Sequence, residues 1–279
     1  MQTFLQHILP QHLLSRLAAK VMQCKQPFIK NKIINWFINR YRVDMTEAEN
    51  PDPSAYVDFN AFFTRALKAG SRPIDTAPNS IVSPADSTLS QLGTINTHRI
   101  FQAKGFEYSL HALLGGSSAW AEKFQDGQFA TFYLAPNDYH RVHMPVTGTL
   151  KAMRYVPGRL FSVNTRTANS VPRLFARNER VICLFDTPVG EMAVILVGAM
   201  IVASIHTHWA GQIAPHSERE IQHWDYSANP PTFVKGQEIG HFQLGSTVIV
   251  LFSRNSMQWE ASLTAGSATK MGKAVGTFK

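Results

Sequence analysis

The chain has 279 residues, 44% of them apolar, with two cysteines and a formal net charge of +8. That length and apolar content allow one large domain or two small ones with a real core, and they exclude a disordered tail. Cys24 and Cys183 form no C-x-x-C pair, so neither a disulfide framework nor a zinc site is indicated, and a reducing compartment suits the chain.

The beginning lacks a charged stretch followed by an apolar block and a small-residue cleavage site, so no secretory signal is expected. Residues 1 to 43 hold Arg16, Lys20, Lys25, Lys30, Lys32, Arg40 and Arg42 and no acid, and so carry nearly all of the net charge. Leu13, Leu14, Leu17 and Val21 predict one helix. Ile29, Ile33, Ile34, Phe37 and Ile38, with Trp36 and Tyr41 nearby, predict a second, and Pro10 and Pro27 stand at suitable starts. Basic amphipathic helices with aromatics suit a membrane interface, where each basic residue near an anionic leaflet adds about 1 kcal/mol. The plainer reading is a solvated basic face on helices packed against the domain. Nucleic acid is a poorer partner, because helix-turn-helix, zinc-finger and ribonucleoprotein patterns are missing.

Asn50 to Ser54 is a turn cluster, and Phe59, Phe62, Phe63 and Leu67 predict a helix over 59–67 that Gly70 and Pro73 end. From Ile81 onward short apolar runs alternate with Gly, Pro, Asn and Asp, with one helical interruption expected at 108–114. The run from Met192 to Ile205 is too short to span a bilayer and rich in β-branched residues, which predicts a buried strand or strand pair. Gly245-Ser246-Thr247 reads as a tight turn feeding a core strand that ends at Phe252. The expected fold class is α+β: a mostly antiparallel β core with N-terminal amphipathic membrane-interface helices. Residues 1–48 form the membrane-binding segment and 49–279 the catalytic β-rich domain.

Three segments carry polar groups in unusual company. Asp86 follows a short apolar run and Pro84, where a turn former is the ordinary explanation. His140 and His143 lie three apart between an aromatic-rich strand and Pro145. In extended chain they face opposite sides, so a shared site needs a turn between them. Two histidines also begin a metal site, but no third ligand has convincing spacing, so no metal is expected. Ser246 is the third. A serine hydroxyl is inert near neutral pH unless a histidine takes its proton, and a carboxylate helps that histidine; Asp86, His143 and Ser246 supply all three. The Gly-x-Ser-x-Gly elbow of the α/β hydrolases is absent, since Val248 stands where its second glycine belongs. Gly245 offers a different use: with no side chain beside it, its own carbonyl is open to attack by Ser246.

The ordered set Ser83-Pro84-Ala85-Asp86, Tyr139-His140-Arg141-Val142-His143-Met144-Pro145, Leu160-Phe161-Ser162-Val163-Asn164, Leu174 to Arg180, Val197 to Met200, and Lys235 to Gly240 leading into Leu244-Gly245-Ser246-Thr247 resembles the bacterial phosphatidylserine decarboxylase proenzymes over nearly the whole length. The resemblance implies that Asp86 and His143 activate Ser246 for self-cleavage after Gly245. The products are a β chain, 1–245, and an α chain, 246–279, whose first residue becomes a covalent pyruvoyl group. That group serves as the electron sink for decarboxylation of phosphatidylserine to phosphatidylethanolamine. His140 is the implied proton donor to the α carbon, with His143 the alternative. A dimer of cleaved protomers and a peripheral place on the cytoplasmic side of the cell membrane are further implications.

Two departures stand out: Ser87 where the pattern has glycine, and Arg159 where it has aspartate. His206 and His208 tempt toward a metal and are read as surface or core packing, as are His216 and His223. A membrane-associated serine hydrolase that keeps Ser246 intact, and a non-catalytic lipid-binding β module, are the competing readings.

Overall fold

The computed structural model describes residues 11–103, 105–200, 204–214, 220–243 and 246–278. Helices α1 (Gln11–Met22) and α2 (Pro27–Tyr41) lie where the sequence predicts them, with Pro27 at the start of α2 and Arg42 in left-handed conformation closing it. Helix α3 (Phe59–Phe63) is shorter than predicted. After Phe63 the backbone pairs instead of coiling: the Glu49 amide donates to Ala66 and the Lys68 amide to Glu47, which pulls Leu67 out of the helix. Helix α4 (Leu110–Leu113), capped by Ser109, occupies the expected interruption, whereas Tyr108 belongs to a strand. Helices α5 (Ser118–Lys123), α6 (Thr165–Ala168) and α7 (Leu174–Arg177) follow; they are too short to leave a periodic signal.

The strands up to residue 187 are β1 (Ser80–Val82), β2 (Ser87–Thr94), β3 (Arg99–Ala103), β4 (Phe106–Ser109), β5 (Gln128–Leu134), β6 (Arg141–His143), β7 (Gly148–Val156) and β8 (Arg180–Thr187). Then come β9 (Gly190–Val197), β10 (Ser204–Thr207), β11 (Gly211–Ala214), β12 (Gln222–Asp225), β13 (Thr232–Phe233) and β14 (Glu238–Gln243). The last four are β15 (Ser246–Phe252), β16 (Met257–Trp259), β17 (Ala268–Thr269) and β18 (Ala274–Phe278). The apolar run at 192–205 is thus the pair β9 and β10. The large sheet has the order β12-β7-β8-β9-β15-β5-β2-β17, with β13 on β7; a sheet β11-β10-β14-β6 and a sheet β1-β18-β16 pack with it. The named strand pairs of these sheets are antiparallel, so the fold is α+β with a mostly antiparallel core.

Both faces of the large sheet are covered, which is why β15 reads as an unbroken apolar run instead of an alternating one. Val248, Val250 and Phe252 enter a core shared with the two smaller sheets, through Val142, Ile205, Ile239, Phe242 and Val275. Ile249 and Leu251 enter the other core, roofed by the short helices through Leu110, Trp120, Leu174 and Phe175. At the N-terminal end Ile34, Phe37, Val43, Phe59, Phe62 and Phe63 make a third, small core that ties α2 to α3. Among the described residues no helix is long and apolar enough to cross a membrane.

Candidate active site

The register of the large sheet places Asp86 and Ser246 at the same end of it. Ser246 opens β15 opposite Leu134, the last residue of β5. Thr247 lies beside Val197 of β9 and Tyr133 of β5, and Tyr133 lies beside Thr88 of β2, two residues after Asp86. Asp86 and Ser246 are therefore separated by the width of β5, about 10 Å for two interstrand spacings. From this end two segments cross together into the sheet containing β10 and β14: β5 pairs with β15 before the crossing, and β6 pairs with β14 after it. His140 sits at the crossing, its carbonyl accepting the Phe242 amide at 3.2 Å. Leu244 and Gly245 lie outside the described residues, so Ser246 alone represents the predicted cleavage pair.

Ser246 is fully buried and, among the described residues, its Oγ has no hydrogen-bond partner. His140 is fully buried too; among the described residues neither ring nitrogen has a well-formed hydrogen bond, and its ring stacks on Phe63 at 4.0 Å between centroids. Burial and then the charge of Arg65 hold this imidazole neutral down to about 3, against a smaller opposing pull from the Pro136 and Ala135 carbonyls. Buried polar groups are ordinarily satisfied, so both orphans are candidates for a role other than folding.

His143 is differently placed. Its Nδ1 lies 2.8 Å from the Gly236 carbonyl, which only accepts, so Nδ1 carries the proton and Nε2 is the lone-pair side. The Tyr139 hydroxyl, 3.1 Å away, donates to Nε2. Gly236 presents that carbonyl from a left-handed turn at φ 80°, and a Cβ there would lie 2.8 Å from Ile74, so no other residue fits without a shift. Burial lowers the His143 pKa, while the Gly236 carbonyl and the more distant charges of Glu238 and Asp86 pull it back up.

Asp86 makes no hydrogen bond to His143. The two segments meet through the backbone, where the His143 amide donates to Pro84 at 2.8 Å, but the carboxylate is committed elsewhere. Arg72 Nε and Nη2 reach it at 2.9 and 2.6 Å, Lys270 Nζ at 3.1 Å and the Met271 amide at 2.9 Å. Arg72 in turn forks onto Glu47 at 3.0 and 2.6 Å. Burial alone would raise the Asp86 pKa; the Arg72 hydrogen bonds, the Met271 amide and the Arg72 and Lys270 charges outweigh it and keep the group ionised. Asp86 and Ser246 thus lie at one end of the large sheet, His140 lies at the crossing and His143 ends β6 in the second sheet, and among the described residues no hydrogen bond joins any two of these side chains.

Arg72, Lys270, Tyr139, Gly236, Phe63 and Arg65 carry no site role in the sequence reading. Tyr139 and Gly236 lie inside motif segments that did carry signal; Arg72 and Lys270 do not, because an ion pair between residues 14 and 184 positions apart from Asp86 leaves no local pattern. Ser87 hydrogen-bonds Thr269 at 2.8 Å, which fixes the start of β2 to β17 just beyond Asp86. Arg159 is exposed, and with Arg173 it adds, after burial, to lowering the pKa of Arg177. His206 stacks on His241 at 4.8 Å across β10 and β14, and His208 contacts Glu238 at 3.0 Å. Among the described residues no group of three or more His, Cys, Asp or Glu is arranged to hold a metal ion. His223 lies in β12 with its ring 5.8 Å from Trp120, and His216 lies outside the described residues.

A family model described as phosphatidylserine decarboxylase matches residues 59–277, and a second, described as PSD, matches residues 1–42. Proteins named phosphatidylserine decarboxylase proenzyme are similar over almost the full chain. That of Ectopseudomonas mendocina is 58% identical over 274 residues, covering 97% of this chain and 96% of the relative. Those of Pseudomonas fluorescens and Azotobacter vinelandii are 56% and 54% identical over 274 residues, covering 97% of this chain and 95% and 96% of the relatives.

Proposed function

The chain belongs to the phosphatidylserine decarboxylase family, and from that premise we propose that it cuts itself between Gly245 and Ser246 and then decarboxylates phosphatidylserine to phosphatidylethanolamine. The observation that carries this reading is Ser246: a buried, unpartnered hydroxyl at the head of a strand held on both sides by β5 and β9. A buried serine placed for folding alone ordinarily has its hydroxyl satisfied. A strand with two ladders stays in place after its N-terminal peptide bond is broken, so both fragments remain in one fold.

In the first step Ser246 Oγ attacks the Gly245 carbonyl carbon. His143 takes the hydroxyl proton at Nε2 as the Tyr139 hydroxyl turns aside, and the bond to the residue 246 nitrogen breaks with return of a proton, leaving an ester. Asp86 favours this without contact: its charge, held ionised by Arg72 and Lys270, raises the basicity of His143. Elimination then frees the carboxylate of residue 245, and hydrolysis releases ammonia and leaves the pyruvoyl group at residue 246. The surroundings fit such a neutral group, since His140, at the crossing beside the start of β15, is itself uncharged. A pyruvoyl group there would supply the sink for the electrons left when carbon dioxide departs. His140, protonated on a ring nitrogen while substrate is bound, returns a proton to the α carbon, and Phe63 holds its ring in plane.

The N-terminal helices are the membrane-facing part in this reading. Phe28, Trp36, Leu17 and Val21 are at least half exposed on a segment rich in lysine and arginine, the composition of an interfacial helix lying on an anionic, cytoplasmic-side leaflet. The boundary near residue 48 divides labour and not packing, because α2 shares its core with α3. A homodimer of cleaved protomers rests on the resemblance alone.

The test is the intact mass of purified protein. Two fragments are expected, the smaller beginning at residue 246 with a ketone in place of its amine, and Ser246→Ala leaves one uncut chain without activity. An active chain of single, full mass would overturn the pyruvoyl reading in favour of a hydrolase with an intact serine.

A further inference from the structure

One buried group near the site is not used by the reaction just described. Arg65 follows α3 by two residues, is 4% exposed, and among the described residues makes no ion pair within 4 Å, though the charges of Asp86, Asp138 and Glu47 act on it from farther off. Its Nη2 makes one hydrogen bond, 3.3 Å to the Asn137 carbonyl in the segment that leads to His140, while Nε and Nη1 have no acceptor among the described residues. The guanidinium carbon lies 5.6 Å from the centre of the Phe62 ring, a weak substitute for an anion. Its neighbours place it: Phe63 stacks on His140, the Thr64 carbonyl accepts Arg141 Nε at 2.9 Å, and Arg65 lowers the pKa of His140. Taking a guanidinium out of water costs several kcal/mol unless it is paired, and the flat fork of an arginine matches an oxyanion with two oxygens.

We propose that Arg65 is the phosphodiester-binding residue of the substrate site. This rests on phosphatidylserine being the substrate, whose headgroup carries two anions, the serine carboxylate and the phosphodiester. The carboxylate is the poorer match on mechanistic grounds. It leaves as neutral carbon dioxide, so a fork bound to it stabilises the ground state more than the transition state and slows the step. The phosphodiester keeps its charge throughout, and holding it fixes the headgroup without penalty. Position agrees. Arg65 comes from the module that exposes Phe28 and Trp36, so it reaches the site from the side on which the lipid is held, and the phosphodiester is what joins the headgroup to the acyl chains.

The test is calorimetric titration of full-length wild-type, Arg65→Lys and Arg65→Met chains with three probes. These are dihexanoyl phosphatidylethanolamine, with a phosphodiester and no carboxylate; dihexanoylglycerol hemisuccinate, with a carboxylate and no phosphate; and inorganic phosphate. For the phosphatidylethanolamine, affinity falls at least about tenfold in Arg65→Met and at least about threefold in Arg65→Lys, which keeps the charge and loses the fork. For the hemisuccinate it changes less than about twofold. An unchanged phosphatidylethanolamine affinity in Arg65→Lys, a variant expected to fold even where Arg65→Met does not, overturns the assignment. So does a larger loss for the hemisuccinate, which would make this a carboxylate site, or tighter binding of inorganic phosphate than of the lipid, which would make it a site for a free anion. Because the readout is binding, a chain that holds the lipid through Arg65 yet neither cuts itself nor releases carbon dioxide refutes the function above and leaves this assignment standing.

Discussion

Two corners of the site treat their polar atoms in opposite ways. Around Asp86 every charge is answered: the carboxylate has Arg72, Lys270 and the Met271 amide, and Arg72 has Glu47 as well. In the other corner less is answered: among the described residues the serine hydroxyl, both nitrogens of His140 and two nitrogens of Arg65 are buried without hydrogen-bond partners. Satisfied networks set geometry, and unsatisfied ones store a cost that chemistry or a ligand must repay. The first corner is scaffold with an electrostatic duty, and the second is where bonds are made and broken.

That division can be broken in order of expected effect. The open corner should yield function without fold: His140→Gln produces both fragments at the normal masses, while turnover drops by about a hundredfold or more, the scale of a lost general acid. Failure of that variant to cut would move His140 into the scaffold. The answered corner should yield fold: Asp86→Asn leaves Arg72, only 6% exposed at its side chain, without its inner partner. About 3 kcal/mol of stability is expected to go, at the low end for a broken buried pair because the half-exposed Glu47 remains, and urea unfolding measures it. A loss within about 0.5 kcal/mol would mean the network is decorative.

Acid separates the corners more gently. The folded-state pKa of His140 is depressed from 6.5 to about 3, so the unfolded chain binds the extra proton between those values. The contribution of His140 is complete above pH 6.5 and is lost as pH falls toward 3, whereas Asp86, lowered from 3.8, gives up its share only below that value. Melting temperature followed from pH 7 downward should therefore fall less steeply in His140→Phe between 6.5 and 4.5, about the upper half of that window. Identical slopes would say that His140 is protonated in the fold. The smallest effect belongs to the surface: Trp36→Ala, 58% exposed, should weaken flotation with anionic vesicles while changing stability by less than about 0.5 kcal/mol. This substitution is a cleaner probe than deleting the helices, since removing Ile34 and Phe37 would uncover Phe62 and Phe63, and Phe63 holds His140.

The elements legible in the sequence were those with a local cause. Pro27 and the spacing of Ile34 and Phe37 marked α2, and an unbroken β-branched run marked β15. The short helices α5 to α7 were not legible, because four to six residues hold less than two turns of periodicity and their reason for existing is the sheet face they roof. Helix α3 was overestimated because Leu67 fits the helical spacing while its backbone is claimed by residues 47–49, a contact that no periodicity encodes.

By itself the sequence determined which chemical groups are present and in what order: the glycine before the serine, the paired histidines, the aspartate after Pro84, and a basic N-terminal segment. What those groups are bonded to was decided only by the tertiary structure. It gave His143 to Gly236 and Tyr139 instead of Asp86, gave Asp86 to Arg72 and Lys270, and left Ser246, His140 and Arg65 with buried polar atoms unanswered. The physical reason is that a side chain's reactivity depends on desolvation and on the nearest charge, and both are set by strands that meet across more than a hundred residues of chain.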